Sequence, residues 1–169
     1  MGTQRPDFAE FYGSCKDECL RTVLVAVGDR DLAQDLIDEA FTRACASWRT
    51  VGRHPAPAAW VVRTALNANI SRWRRRRREV PVPDPATVAD LPTAGGVPAS
   101  PDPRIMAALL RLPGRQRQVV ALRLFLDLDT AGTAKVLGVS PSTVKAHLAR
   151  ALAALRQDLI PARNQEDRP

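Results

Sequence analysis

Apolar residues in this chain recur at spacings of three and four and form no convincing strand, so the pattern predicts helices throughout. Phe8, Tyr12, Cys15, Cys19 and Val23 share one face of a first helix that should end near Gly28. A second helix is expected from about Asp31. In DLAQDLIDEAFTRACASW its apolar side is Leu32, Leu36, Ile37, Ala40, Phe41, Ala44 and Trp48, which leaves Asp31, Asp35, Asp38 and Glu39 as an acidic face. The stretch VGRHPAPAA, with its prolines and glycine, reads as a loop. AWVVRTALNANISRWRRRRRE then resumes as a long third helix, which Pro81 stops because a residue before proline is pushed out of helical geometry.

The C-terminal part carries a more specific pattern. In TAGTAKVLGVSPSTVKAHLARALAALR, a short helix from about Thr130 to Leu137 meets a turn at Gly138, with Ser140 as N-cap and Pro141 at the first position of the next helix. This is a helix-turn-helix. Ala134 is small where two helices must approach, and Val139 is placed to plug the corner. Val144, Leu148, Leu152 and Leu155 form an expected inward stripe. Ser142, Thr143, Lys145, Ala146, His147 and Arg150 are left outside, a set of small, hydrogen-bonding and cationic residues suited to base edges and phosphates. The plainer reading is a surface helix of an ordinary bundle. The turn glycine, the capped second helix and the positive outer face together favour DNA.

The predicted fold class is all-α, with two small helical domains joined by a Pro-rich linker, the C-terminal one a helix-turn-helix. Residues 81 to 103 hold seven of the fourteen prolines, three aspartates and no basic residue, and are read as that linker. The domains are then 1–80 and 104–160, with 161–169 as a tail of mixed charge. No internal repeat is visible.

Charge sharpens the division. The net charge of +7 and a pI near 10.3 call for a polyanionic partner, either nucleic acid or an anionic membrane surface. Residues 1–50 carry six basic and nine acidic side chains, residues 51–80 eight and one, and residues 104–169 eleven and five. The chain alternates acidic, basic, acidic, basic. Five consecutive arginines, Arg74 to Arg78, stand at the expected C-terminal end of the third helix. The helix dipole favours cations there by less than ~1 kcal/mol each, too little to account for the whole run. A solvated helix end, a nonspecific polyanion patch and a membrane-surface patch remain as alternatives to a specific DNA contact.

Other residue types exclude more than they suggest. No apolar run approaches the ~20 residues of a membrane span, and MGTQRPDFAEF lacks a signal-peptide pattern, so a cytoplasmic protein without membrane insertion is expected. Cys15, Cys19 and Cys45 are then reduced thiols. Cys15 and Cys19 lie one turn apart, but a zinc site wants four ligands and the only histidines are His54 and His147, so neither metal nor cofactor is expected. Trp48 and Trp60 are read as core, and Trp73 as either core or DNA contact. The sequence has no phosphate loop, GxGxxG, HExxH or GxSxG motif, which argues against an enzyme.

LPGRQRQVVALRLFLDLDTAGTAKVLGVSPSTVKAHLARALAALR resembles region four, the promoter-recognition domain, of extracytoplasmic-function (ECF) sigma factors of bacterial RNA polymerase. DLIDEAFTRACASW followed by AWVVRTALNANISRWRRRRR resembles their region two. The order of the two modules is more specific than either motif alone, since region four is easily confused with LuxR-type regulators. A stand-alone helix-turn-helix regulator is therefore the alternative.

The resemblance implies core RNA polymerase and promoter DNA as partners, with an anti-sigma factor as a further one. It implies that Asp35, Asp38 and Glu39 dock on polymerase. The loop from Gly52 to Ala59 would capture an unstacked base of the minus-10 element. Asn67, Arg72, Trp73, Arg74, Arg75 and Arg76 would lie at or near the melted DNA. Ser142, Thr143, Lys145, His147 and Arg150 would face the minus-35 element, with Arg115, Arg117 and Lys135 as phosphate contacts. Gly132 departs from the family pattern, where a larger helix former is expected, and should cost its helix ~1 kcal/mol relative to alanine.

Overall fold

The computed structural model describes residues 7–79 and 102–160. All regular structure among them is helical: α1 (Phe8–Val27), α2 (Arg30–Ala46), α3 (Trp48–Val51), α4 (Pro57–Glu79), α5 (Pro103–Arg111), α6 (Gly114–Phe125), α7 (Thr130–Leu137) and α8 (Pro141–Leu159). None of the described helices is long and apolar enough to cross a membrane. The sequence boundary proposed for the linker, 81–103, and the tail, 161–169, lie almost entirely outside the described residues.

Local chemistry explains most helix ends. Asp7 starts α1 by accepting a hydrogen bond from the Glu10 amide at 2.8 Å, and Gly28 stops it in a left-handed conformation, φ 84°, donating to the Leu24 carbonyl. Asp29 immediately caps α2 through the Leu32 amide at 2.9 Å. So short a connection forces α1 and α2 to pack antiparallel. Cys15, Cys19 and Val23 of α1 are buried together with Leu36, Ile37, Ala40, Phe41 and Ala44 of α2, as the periodicity predicts, and Phe11, which the predicted face did not include, is buried with them. Tyr12 is more exposed than its position suggested, yet its ring meets Phe41 edge-on at 4.9 Å. Trp48 leaves α2 and opens the short α3, with its ring 4.8 Å from Phe11 and 5.5 Å from Phe8. It belongs to the aromatic core.

α4 is built in two parts. Ala59, Val61, Val62, Ala65 and Leu66 are buried, and beyond Leu66 no described side chain of the helix is. Arg74, Arg75, Arg76 and Arg78 are exposed. At 1.5 Å per residue, α4 continues for about 20 Å past its last buried position. The first half anchors the helix and the second half presents charge.

In the C-terminal module α6 buries Val119, Val120, Ala121 and Leu122. The helix-turn-helix forms as the sequence predicts. Gly138 has φ 66° and donates to the Ala134 carbonyl, and Ser140 caps α8 by accepting from the Thr143 amide at 3.1 Å. Val119, Ala134 and Val144 form the small core between the helices, with Val139 packed beside them. Replacing Ser140 with alanine should lower the stability of this module by ~1 kcal/mol, read from the midpoint of chemical denaturation. The inward stripe of α8 is only partly inward: Val144 is buried and Leu148 and Leu155 half-buried, whereas Leu152 is 41% exposed. The face of α8 turned to the core runs instead through Val144, Leu148, Ala151 and Leu155.

Gly132 has a local reason. Its amide donates to the Asp129 carboxylate that caps α7, at 2.6 Å, and a Cβ at Gly132 would stand 3.0 Å from that oxygen. The close approach of the cap favours the smallest residue, which offsets the propensity cost expected from sequence.

The modules share a core. α6 packs against α1, α7 packs against α4, and one cluster of buried residues runs from Phe11 and Leu36 through Leu109, Leu122 and Val136 to Ala151. The sequence pattern predicts two helical modules but gives no sign that their apolar faces meet.

Candidate nucleic-acid interface

The exposed basic end of α4 lies beside the acidic face of α2. Leu36, Ile37, Ala40 and Phe41 turn one side of α2 into the core, so Asp35 and Asp38 are held in solvent. Asp38 accepts a hydrogen bond from Gln34 at 2.9 Å, one turn earlier on the helix. Glu39 behaves differently. One of its carboxylate oxygens pairs with Arg43 on α2, and the other pairs with Arg72 of α4 at 3.1 Å. A residue assigned from sequence to polymerase docking thus also fixes a residue assigned to DNA.

That ion pair borders a cleft of about 320 Å³ lined by Glu39, Arg43, Asn67, Ala68, Ser71, Arg72 and Arg75. Three guanidinium groups surround one carboxylate, so the cleft is net positive. Asn67 adds an amide able to donate and accept, and Ser71 a hydroxyl. Cations that track phosphates, with neutral hydrogen-bonding groups between them, are a suitable lining for a strand of nucleic acid. Trp73, next along the helix, is half-buried.

In the second module Ser142, Lys145, Ala146 and Arg150 are exposed on α8, with Thr143 and His147 half-buried. The Ser140 hydroxyl lies 2.8 Å from the hydroxyls of both Ser142 and Thr143, so the cap and the start of the outward face form one network. Arg115 and Lys135 are exposed, Arg115 within 3.3 Å of Gln118.

Arg117 departs from expectation. Its side chain is 6% exposed and points into the junction between the modules. The guanidinium donates to the carbonyls of Leu110 and Leu112 in its own module and to those of Ala26 and Val27 at the end of α1. Burial lowers its pKa from the ordinary arginine value. In this arrangement it has no access to a phosphate. While the modules are packed together its partners are carbonyls, one of them 91 residues away in sequence, which residue type alone could not reveal.

Two of the thiols lie on the buried face of α1, where the periodicity placed them. Cys15 and Cys19 are buried, and Cys45 is exposed. A hydrogen bond between the first two holds the Cys15 thiol below its usual range and, with burial, pushes Cys19 above it. No group of metal-ligating side chains occurs among the described residues.

Comparison with known proteins supplies the family. Residues 12–79 match the family described as Sigma-70 region 2, and residues 103–155 match Sigma-70, region 4. The chain is 33% identical over 156 residues to the RNA polymerase sigma-E factor of Streptomyces coelicolor, covering 91% of this chain and 86% of that protein. It is 32% identical to the ECF RNA polymerase sigma factor SigL of Mycobacterium tuberculosis, covering 82% and 81% of the two chains. Among solved structures, the sigma factor RpoE of Bartonella quintana, in complex with the anti-sigma factor NepR, has the same fold, with a TM-score of 0.76 at 22% identity over 93% of this chain and 99% of that one. With both sigma regions in order on one chain, and relatives that align along most of its length, this protein belongs to the extracytoplasmic-function sigma factors of RNA polymerase.

Proposed function

We propose that this protein is a promoter-specificity subunit, which binds core RNA polymerase, recognises the minus-35 and minus-10 elements of promoter DNA, and helps to melt the duplex. The exposed carboxylates Asp35 and Asp38 on α2 form the polymerase contact. The cleft at Asn67 and Arg72 and the arginines from Arg74 to Arg76 hold the minus-10 region, and Lys145, His147 and Arg150 of α8 read the minus-35 element. The observation that supports this division most directly is the meeting of α2 and α4, where an acidic surface free for a protein partner flanks a net positive cleft fit for a strand. The protein acts by binding, without catalysis of its own, in the cytoplasm and on the nucleoid when active. An anti-sigma factor is a further partner under this reading.

The reading is tested by mixing the protein with core polymerase and following co-elution on a size-exclusion column. The wild type should co-elute, and the Asp35→Ala, Asp38→Ala double variant should lose most of the complex. Glu39→Ala belongs in a separate sample, because it also releases Arg72. A wild-type protein that fails to co-elute with an active core, yet binds duplex DNA specifically by itself, would establish a stand-alone regulator instead.

A further inference from the structure

Arg117 is a buried cation without a carboxylate partner among the described residues, and its hydrogen-bond acceptors come from both modules. Two of them are the last carbonyls of α1, at 3.4 Å (Ala26) and 3.3 Å (Val27). Such carbonyls have no acceptor role left within their own helix, and they carry the negative end of the helix dipole. The other two, Leu110 at 3.1 Å and Leu112 at 3.4 Å, end α5. One guanidinium therefore closes two helix C-termini that belong to different modules. A buried charge is tolerated only while it is hydrogen-bonded, so this placement depends on the modules being together.

Function requires them to be apart, provided the proposed promoter role holds. Elements at minus 35 and minus 10 are separated by roughly 25 base pairs, about 85 Å of duplex at 3.4 Å per pair. A compact chain of 169 residues has a radius of gyration of about 15 Å, and so measures roughly 40 Å across. With α6 packed on α1 and α7 on α4, it is too small to reach both elements. The chain from residue 80 to 101 has a maximum reach of about 70 to 80 Å, which makes the span feasible once the modules separate.

We infer that Arg117 is an intramolecular latch: by capping the C-terminus of α1 from α6, it holds the free protein in a closed, promoter-incompetent arrangement that must open for the two elements to be engaged together. Opening frees the same guanidinium to solvent, and the side chain that latches the closed form is then available to a phosphate. Gly28, which ends α1, also leaves room for this contact. A Cβ at that position would stand 3.3 Å from the Arg117 guanidinium, and the φ of 84° disfavours any larger residue.

The test is a distance measurement on the full chain. Cys45 is exposed while Cys15 and Cys19 are buried, so one dye is placed on Cys45 and the other on an Ala153→Cys substitution at an exposed position of α8. The protein should show high energy transfer, falling when core polymerase is added. Arg117→Met keeps the aliphatic stem but leaves four backbone carbonyls facing an apolar group, and should raise the open fraction at least about tenfold without polymerase. Gly28→Ala disturbs the latch from the other side of the junction and should move transfer the same way. It decides the matter if circular dichroism shows Arg117→Met unfolded. Wild-type transfer in Gly28→Ala, or in a folded Arg117→Met, overturns the latch. Failure of the wild type to bind core polymerase would sink the proposed function and leave this distance result readable by itself.

Discussion

Alanine at Arg74, Arg75 and Arg76 together should reduce affinity for promoter DNA about a hundredfold near physiological salt, and make binding less sensitive to salt. Each phosphate contact contributes ~0.7 to 0.9 to the slope of log affinity against log salt, through release of condensed counterions. Losing three should flatten that slope by about 2 to 3. The folded state should hardly notice, because all three side chains are exposed beyond the last buried residue of α4. Alanine is also a better helix former than arginine, while the lost dipole interaction at the helix end is small and screened. Fluorescence anisotropy of the polymerase-bound protein on labelled promoter DNA, repeated across salt concentrations, gives the slope directly. An unchanged slope would reduce the arginine run to a solvated helix end.

The largest stability effect is expected at Phe41. It is 4% exposed, and its ring meets Phe11 at 6.1 Å and Tyr12 at 4.9 Å, so it joins α1 to α2. Phe41→Ala removes those contacts and leaves a cavity that close-packed helices fill only in part, for a loss of about 3 to 5 kcal/mol. Against a typical total of ~5 to 15 kcal/mol, that is enough to unfold a substantial fraction of molecules at moderate denaturant. The same substitution should weaken polymerase binding, since Asp35 and Asp38 are presented by the helix that Phe41 anchors. A loss below about 1 kcal/mol would mean that the aromatic cluster collapses around the gap.

The latch bears on how both results are measured. Promoter binding by the free protein includes the free energy of opening, whereas the polymerase-bound protein has already opened if the latch is correct. A variant that opens more easily should bind polymerase faster while each module's own contacts stay unchanged. The Arg74 to Arg76 variant should behave in the opposite manner, with normal polymerase binding and weakened DNA binding.

Five helices, α1, α2, α4, α7 and α8, were legible in the chain because their causes are local, whereas α3, α5 and α6 were not read from it. Gly28, Gly138 and Ser140 act on amides and carbonyls within a turn or so of themselves, and periodic apolar positions follow from helix geometry. The two-module division followed from composition, as one proline-rich acidic stretch separates two basic regions. Exposure of Lys145, Arg150 and Arg74 to Arg76 needed only the observation that no apolar partner was available on those faces. Three matters depended on residues distant in the chain. Leu152 could not be known to face solvent without knowing that Ala151 takes the buried place on that turn of α8. Glu39 meets Arg72 across 33 residues, and Arg117 meets Ala26 across 91. The same guanidinium can cap a carbonyl or grip a phosphate, and its residue type is silent on which. Packing of α6 on α1 brings two helix ends within reach of Arg117 and closes it off from a phosphate while the modules are together.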